Sequence, residues 1–236
     1  MANSDPMAST ACLILFAREP ELGRVKQRLA ADIGPQAALA VYRRLLERSL
    51  RLSRSFVRHG YASSAGSGRT DCRLIVSSFE DGQGRLRQFC RRTNTAFRVQ
   101  CGNDLGQRMH SAIDEAARDA DGPVVLIGSD CPGLGMTDLR AAFDALQRVD
   151  VVISPTLDGG YGLIGVRNNH RELFREIPWG SDQVAALTRM RARCLGLQIH
   201  NLRDQADIDF VADWRAWCAQ RQEKQLCEFQ WDQSAC

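Results

Sequence analysis

Val124-Val-Leu-Ile-Gly-Ser-Asp-Cys-Pro132 is an apolar run that passes directly into Gly-Ser-Asp and stops at a proline. A short apolar run bounded by turn residues reads as a strand buried on both faces, as in parallel sheets covered by helices. Asp130 then sits at the strand's carboxyl end, where open α/β sheets bind their ligands. A carboxylate there suits Mg²⁺ or Mn²⁺ held against a diphosphate, because hard cations take one or two carboxylates together with phosphate oxygens. The commoner role of an aspartate after a strand is a helix cap or turn. A metal role therefore requires a second acid from elsewhere in the chain.

Working outward, apolar runs at 12–17, 73–77, 97–101, 151–154 and 163–166 read as further strands. Segments with helical spacing lie between them: 36–52 after Pro35, 105–117, 137–146 with Thr137 as N-cap, 182–193 and 209–219. This alternation predicts an α/β fold, a single Rossmann-like domain over 11–219 with a mostly parallel sheet and helices on both faces. Residues 1–10 read as a disordered lead and 220–236 as a polar tail, while the Gly/Ser-rich stretch 59–71 reads as a surface loop.

A net charge of +3 over 236 residues is too small for a dedicated nucleic-acid binder but leaves room for a local phosphate pocket. No apolar run approaches the ~20 residues that span a bilayer, so membrane insertion is not expected. The nine cysteines include no pair two residues apart, which argues against a zinc ribbon or redox motif. With no secretory signal, they read as reduced thiols of a cytoplasmic protein. The four histidines are isolated and no Gly-x-Ser-x-Gly elbow is present, which weakens zinc-enzyme and serine-hydrolase readings.

Four other segments carry chemistry. Arg18-Glu-Pro-Glu-Leu-Gly-Arg-Val-Lys-Gln-Arg-Leu29 follows the first strand and places Arg18, Arg24, Lys26 and Arg28 around a turn at Gly23. Such cations suit a di- or triphosphate, although neither the Walker A nor the dinucleotide spacing is present. Asp158-Gly-Gly-Tyr-Gly162 reads as a hairpin turn, or as a place where Gly159 and Gly160 admit a substrate beside Asp158 and Tyr161. Pro178-Trp-Gly-Ser-Asp182 offers Trp179 as a wall and Ser181 as a helix start. Asp207-Ile-Asp209 brings the second acid pair, or simply favours a helix N-terminus.

In order, these segments resemble a bacterial family of small glycosyltransferases with the GT-A nucleotide-diphospho-sugar transferase fold. The family has been listed among domains of unknown function and is linked to radical-SAM or selenium-related genes or to arsenosugar biosynthesis. Matching stretches are 16–29, 104–109 (Asp-Leu-Gly-Gln-Arg-Met), 128–132, 158–161, Trp179 with Ser181, and 207–209. Three positions depart: Arg18 stands for the family's Lys, and Gln27 and Phe210 for Thr.

The resemblance implies that Lys26 and Arg28 contact the diphosphate, that Arg18 and Gly23 also belong to the nucleotide-binding set, and that Asp104, Leu105 and Gly106 lie near the nucleobase. Asp130 and Asp209, with Asp207, would hold Mg²⁺ or Mn²⁺. Asp158, Gly159, Gly160, Tyr161, Trp179 and Ser181 would face the sugar or the small-molecule acceptor, with Asp158 and Asp130 as catalytic residues. The same fold serves nucleotidyltransferases, including the guanylyltransferases of molybdenum-cofactor and deazaflavin-cofactor synthesis. Glycosyl transfer from a nucleotide sugar is thus the expected reaction. Its alternatives are nucleotidyl transfer from a nucleoside triphosphate and a non-catalytic nucleotide-binding domain.

Overall fold

In the computed structural model, which describes residues 10–59, 61–62, 69–79 and 84–220, β1 (Ala11–Ala17) lies near the centre of a seven-stranded sheet. It pairs in parallel with β4 (Cys72–Ser78) and β6 (Val124–Gly128), and β5 (Ala96–Val99) extends the sheet in parallel beyond β4. Beyond β6 the sheet turns mixed. The strand β8 (Tyr161–Val166) runs antiparallel between β6 and β7 (Val151–Pro155), and β9 (Ile199–Asn201) edges β7 in parallel. A two-residue ribbon, β2 (Tyr61–Ala62) with β3 (Arg69–Thr70), stands apart. The expected α/β architecture with a mostly parallel sheet is the one observed, and the turn at 158–160 is indeed a hairpin.

Period-two alternation decides which core each strand residue joins. Leu13 and Leu15 of β1 pack with Val125 and Ile127 of β6 on one face, under α2 (Pro35–His59), α3 (Arg85–Arg92) and α5 (Met136–Ala145). Cys12 and Ile14 join Val124 and Leu126 on the other, under α4 (Leu105–Asp119) and α6 (Val184–Cys194). A third cluster seats α1 (Gln27–Ile33) on α2 through Leu29, Ala38 and Leu45, with Ile208 and, from α7 (Val211–Gln220), Trp214 and Trp217. Because both core faces are apolar, the polar groups that remain gather at the carboxyl ends of β1, β4 and β6, beside the β7–β8 turn.

Several boundaries differ from the sequence reading for local reasons. The N-cap of α5 is Gly135, whose N–H donates to the Asp138 carboxylate at 2.8 Å, so Thr137 lies inside the helix instead of capping it. Leu86 and Cys90 are the only fully buried side chains of α3, and the spacing did not predict this helix. Its cap comes from Glu19, a buried carboxylate 66 positions away, which accepts from Arg85 N at 2.5 Å and Leu86 N at 3.2 Å. That cap clasps the cationic loop to α3. Residue 220, read as tail, ends α7. The lead save Thr10, the tail beyond 220, and residues 60 and 63–68 of the Gly/Ser loop lie outside the described residues. Among the described residues seven cysteines are free, and no helix is long and apolar enough to cross a membrane.

Candidate active site

The cationic loop is held before any ligand arrives. The buried Tyr42 hydroxyl of α2 accepts from Arg18 N at 2.8 Å, donates to Arg18 O at 2.9 Å, and receives Ser129 Oγ at 3.4 Å. One phenol thus fastens the loop after β1 to the loop after β6. Gly23 takes φ 74°, a left-handed turn that glycine adopts freely. Lys26, at φ 49°, sits left-handed as the residue before α1.

From that position Lys26 reaches the acids. Its side chain is 4% exposed, and Nζ lies 3.1 Å from Asp130 Oδ2 and 3.0 Å from Asp209 Oδ1. Arg28 reaches Asp209 Oδ2 at 3.1 Å, with its guanidinium over the Phe210 ring. Burial alone would lower the Lys26 pKa, but the two carboxylates outweigh it and the net shift is upward. The ammonium is therefore firmly charged.

These groups line a cavity of about 500 Å³, together with Arg18, Asp158 and Asp207. Asp158 Oδ1 accepts from Thr156 Oγ at 2.5 Å and Gly160 N at 3.0 Å, which fixes the carboxylate as the hinge of the hairpin turn. Asp207 is pushed up to about 6 by burial and by the negative charges of Asp158 and Asp209. The lining also includes Leu105, Ser181, and the rings of Trp179 and Tyr161, which meet edge to face at 6.4 Å.

Not every predicted residue faces the cavity. Asp104 caps α4 instead, with Oδ1 on Gln107 N at 2.8 Å and Oδ2 on Gln107 Nε2 at 3.0 Å. It is thus a helix cap and is not among the residues that line the cavity, whereas its neighbour Leu105 is. Gly106 lies beneath Trp179, where a Cβ would strike the indole, and acts by letting that ring close in. Gly23 and Gly159 shape turns behind the wall. The Tyr161 hydroxyl is buried beside Thr188, so its ring, not its oxygen, serves the cavity.

The sequence reading also missed residues the fold brings in. Gln100 donates through Nε2 to Ala17 O at 3.3 Å and Ser77 O at 3.0 Å, tying β1 to β4 at the cavity floor. Arg108 lies 4.2 Å over the Phe79 ring. Gln100 sits in no recognisable motif, whereas Arg108 is the arginine of the 104–109 stretch, and the packing against the cavity is what identifies both.

The donor set fits a divalent cation. Asp130 and Asp209 converge on Lys26 Nζ, Arg28 reaches Asp209, and Asp158 and Asp207 line the same cavity. Among the described residues no three His, Cys, Asp or Glu side chains converge. A metal would thus take two protein carboxylates and complete its shell with phosphate and water, as Mg²⁺ usually does.

The raised Asp207 value sets a pH dependence. The unfolded chain loses this proton near the ordinary carboxylate value, whereas the folded protein keeps it up to about 6. Folding therefore takes up a proton in that window, and stability falls as pH rises from about 4 to about 6. Metal-free Asp207→Asn should show a flatter stability–pH profile and exceed wild type at pH 8, by urea denaturation. An unchanged profile would contradict the assignment.

The sheet order and the position of the site define a nucleotide-diphospho-sugar transferase-like α/β domain. The sequence profile of a family described as an uncharacterised protein conserved in bacteria, DUF2064, matches residues 64–181, and the chain belongs to that family. The match includes Asp130 and Asp158, while the cationic loop and Asp207–Asp209 lie outside it. Among solved structures, the chain is similar to a protein of Desulfovibrio desulfuricans G20 assigned to the nucleotide-diphospho-sugar transferases. Identity is 28%, the TM-score is 0.79, and the match covers 92% of this chain and 90% of that one. Two cytidylyl-transferring enzymes share the fold alone. A 4-diphosphocytidyl-2C-methyl-D-erythritol synthase from Anaerococcus prevotii DSM 20548 has 12% identity, a TM-score of 0.57, and coverage of 91% and 99%. A CMP:2-keto-3-deoxy-manno-octonic acid synthetase complexed with CTP has 13% identity, a TM-score of 0.52, and coverage of 90% and 100%. No curated protein matches the sequence.

Proposed function

We propose that this protein transfers a glycosyl group from a nucleoside-diphosphate sugar to a small-molecule acceptor, with Mg²⁺ or Mn²⁺ as cofactor. The observation that carries the reading is the meeting of Lys26, Arg28, Asp130 and Asp209 at one point of the cavity. Cations alone would suit a phosphate and carboxylates alone a metal; both together suit a metal-bound diphosphate that leaves with its charge neutralised. The divalent ion, when bound, supplies that neutralisation as a Lewis acid. Arg18 and Arg28 bind phosphate oxygens, and Trp179 and Tyr161 give the sugar an aromatic wall. Asp158, anchored through Oδ1, keeps Oδ2 for the acceptor's hydroxyl and takes up its proton as the glycosidic bond forms. A cytoplasmic setting belongs to the same reading and is supported by the free thiols.

Incubation with Mn²⁺ or Mg²⁺ and panels of nucleotide sugars and nucleoside triphosphates, resolved by chromatography, tests the proposal. Release of nucleoside diphosphate from a nucleotide sugar supports it. Pyrophosphate release from a triphosphate, with no turnover of any nucleotide sugar, replaces it with nucleotidyl transfer.

A further inference from the structure

Lys26 is one of only two lysines among the chain's 31 basic residues; the other is Lys224. A guanidinium is a planar fork, whereas an ammonium is a compact charge that occupies a single point, as a metal ion does. In the structure that point lies between Asp130 Oδ2 and Asp209 Oδ1, at 3.1 and 3.0 Å, and the side chain is 4% exposed. The place where two carboxylates converge is already filled by a cation of the protein's own.

This has a consequence for a divalent ion arriving alone. Asp130 and Asp209 are balanced by Lys26 and Arg28, so the ion must expel the ammonium and leave it buried without a counter-charge. A diphosphate removes that obstacle, because its oxygens give the ammonium a new, charge-assisted partner in the same cavity.

We propose that Lys26 is a resident counter-ion that exchanges with the divalent cation. It holds Asp130 and Asp209 together in the empty protein and yields its place only when metal and nucleoside diphosphate arrive together, moving its ammonium to the phosphates. The proposal rests on reading the cavity as a metal–diphosphate site, and adds that Lys26 makes the two ligands bind as one cooperative event. Removing this cation therefore strengthens binding of a free metal ion.

Mn²⁺ binding followed by electron paramagnetic resonance, with and without UDP, GDP, ADP or CDP, tests the exchange in wild type and Lys26→Met. Wild type should bind Mn²⁺ weakly alone. Lys26→Met should bind Mn²⁺ alone more tightly than wild type, by a factor within the usual span of coupling between sites, about 5–150-fold. Its gain should disappear in the double variant Lys26→Met, Asp209→Asn. A Lys26→Met protein that binds Mn²⁺ no tighter than wild type overturns the exchange, while Mn²⁺–nucleotide binding in wild type keeps the site reading. Wild type that binds Mn²⁺ with none of the four diphosphates overturns both. ¹⁵N-lysine NMR on wild type decides the matter even if the variant does not fold. Only two lysine ammonium signals are possible. The Lys26 signal should survive Mg²⁺ alone and shift when the diphosphate joins it; loss with Mg²⁺ alone, or no change with both, overturns the proposal.

Discussion

Asp130→Asn should lower turnover by a hundredfold or more and remove most of the metal dependence of nucleotide binding. The substitution keeps the shape of the side chain but removes half of the carboxylate pair and with it the charge that opposes Lys26. Losing one electrostatic stabiliser of a developing charge commonly costs about 10²–10³ in rate. The fold should survive, since Asp130 is 44% exposed and Lys26 keeps Asp209. Ser129 Oγ, 3.3 Å from Asp130 Oδ1, can still orient the amide. Titration calorimetry with Mn²⁺ and with EDTA measures the effect, and binding that keeps its metal dependence in the variant would remove Asp130 from the site.

Gly159→Ala should destabilise the protein by about 3 kcal/mol or more, in the range of overpacking combined with backbone strain. Gly159 holds φ 87°, and a Cβ there would collide with the backbone of Asp182. Its carbonyl also accepts from Ala185 N at 2.9 Å, so the hairpin turn and the start of α6 are pressed together at main-chain distance. No flexible side chain can yield. Separating them would shift Asp158 relative to Trp179 and Ser181, all three of which line the cavity. Urea denaturation gives the stability loss, and faster amide exchange at Gly159 and Ala185 than in β6 would locate it. Stability within 1 kcal/mol of wild type would contradict the geometry.

How much of this was legible in the sequence follows from which interactions are local. The run ending at Asp130 announces both a buried strand and an acid at its mouth, because apolar periodicity and a stop signal lie side by side. The Asp158 turn is equally self-contained: its carboxylate bonds Gly160, two residues on. Helix α3 was invisible because its cap, Glu19, belongs to another loop. Asp104, which the resemblance puts near the nucleobase, satisfies the first turn of its own helix, as aspartates before helices ordinarily do.

The largest gap concerns Lys26. Sequence reading placed it on the phosphates and Asp209 on the metal as separate parts, and nothing in the chain links residues 183 positions apart. The sheet brings them to one point, because the loop after β1 and the segment before α7 both end beside β6. Ile208 N, hydrogen-bonded to Asp130 O at 3.1 Å, fixes that approach. The anchoring roles of Tyr42 and Gln100 were hidden for the same reason, since each joins segments distant in sequence.

In the proposed reaction the bond that breaks is the one between the sugar's anomeric carbon and the diphosphate. Turnover of the preferred nucleotide sugar in H₂¹⁸O without acceptor, followed by mass spectrometry of both products, tests it most directly. Glycosyl transfer puts ¹⁸O in the released sugar and none in the nucleoside diphosphate. ¹⁸O in the phosphate product, with an unlabelled sugar, would show attack at phosphorus and contradict it.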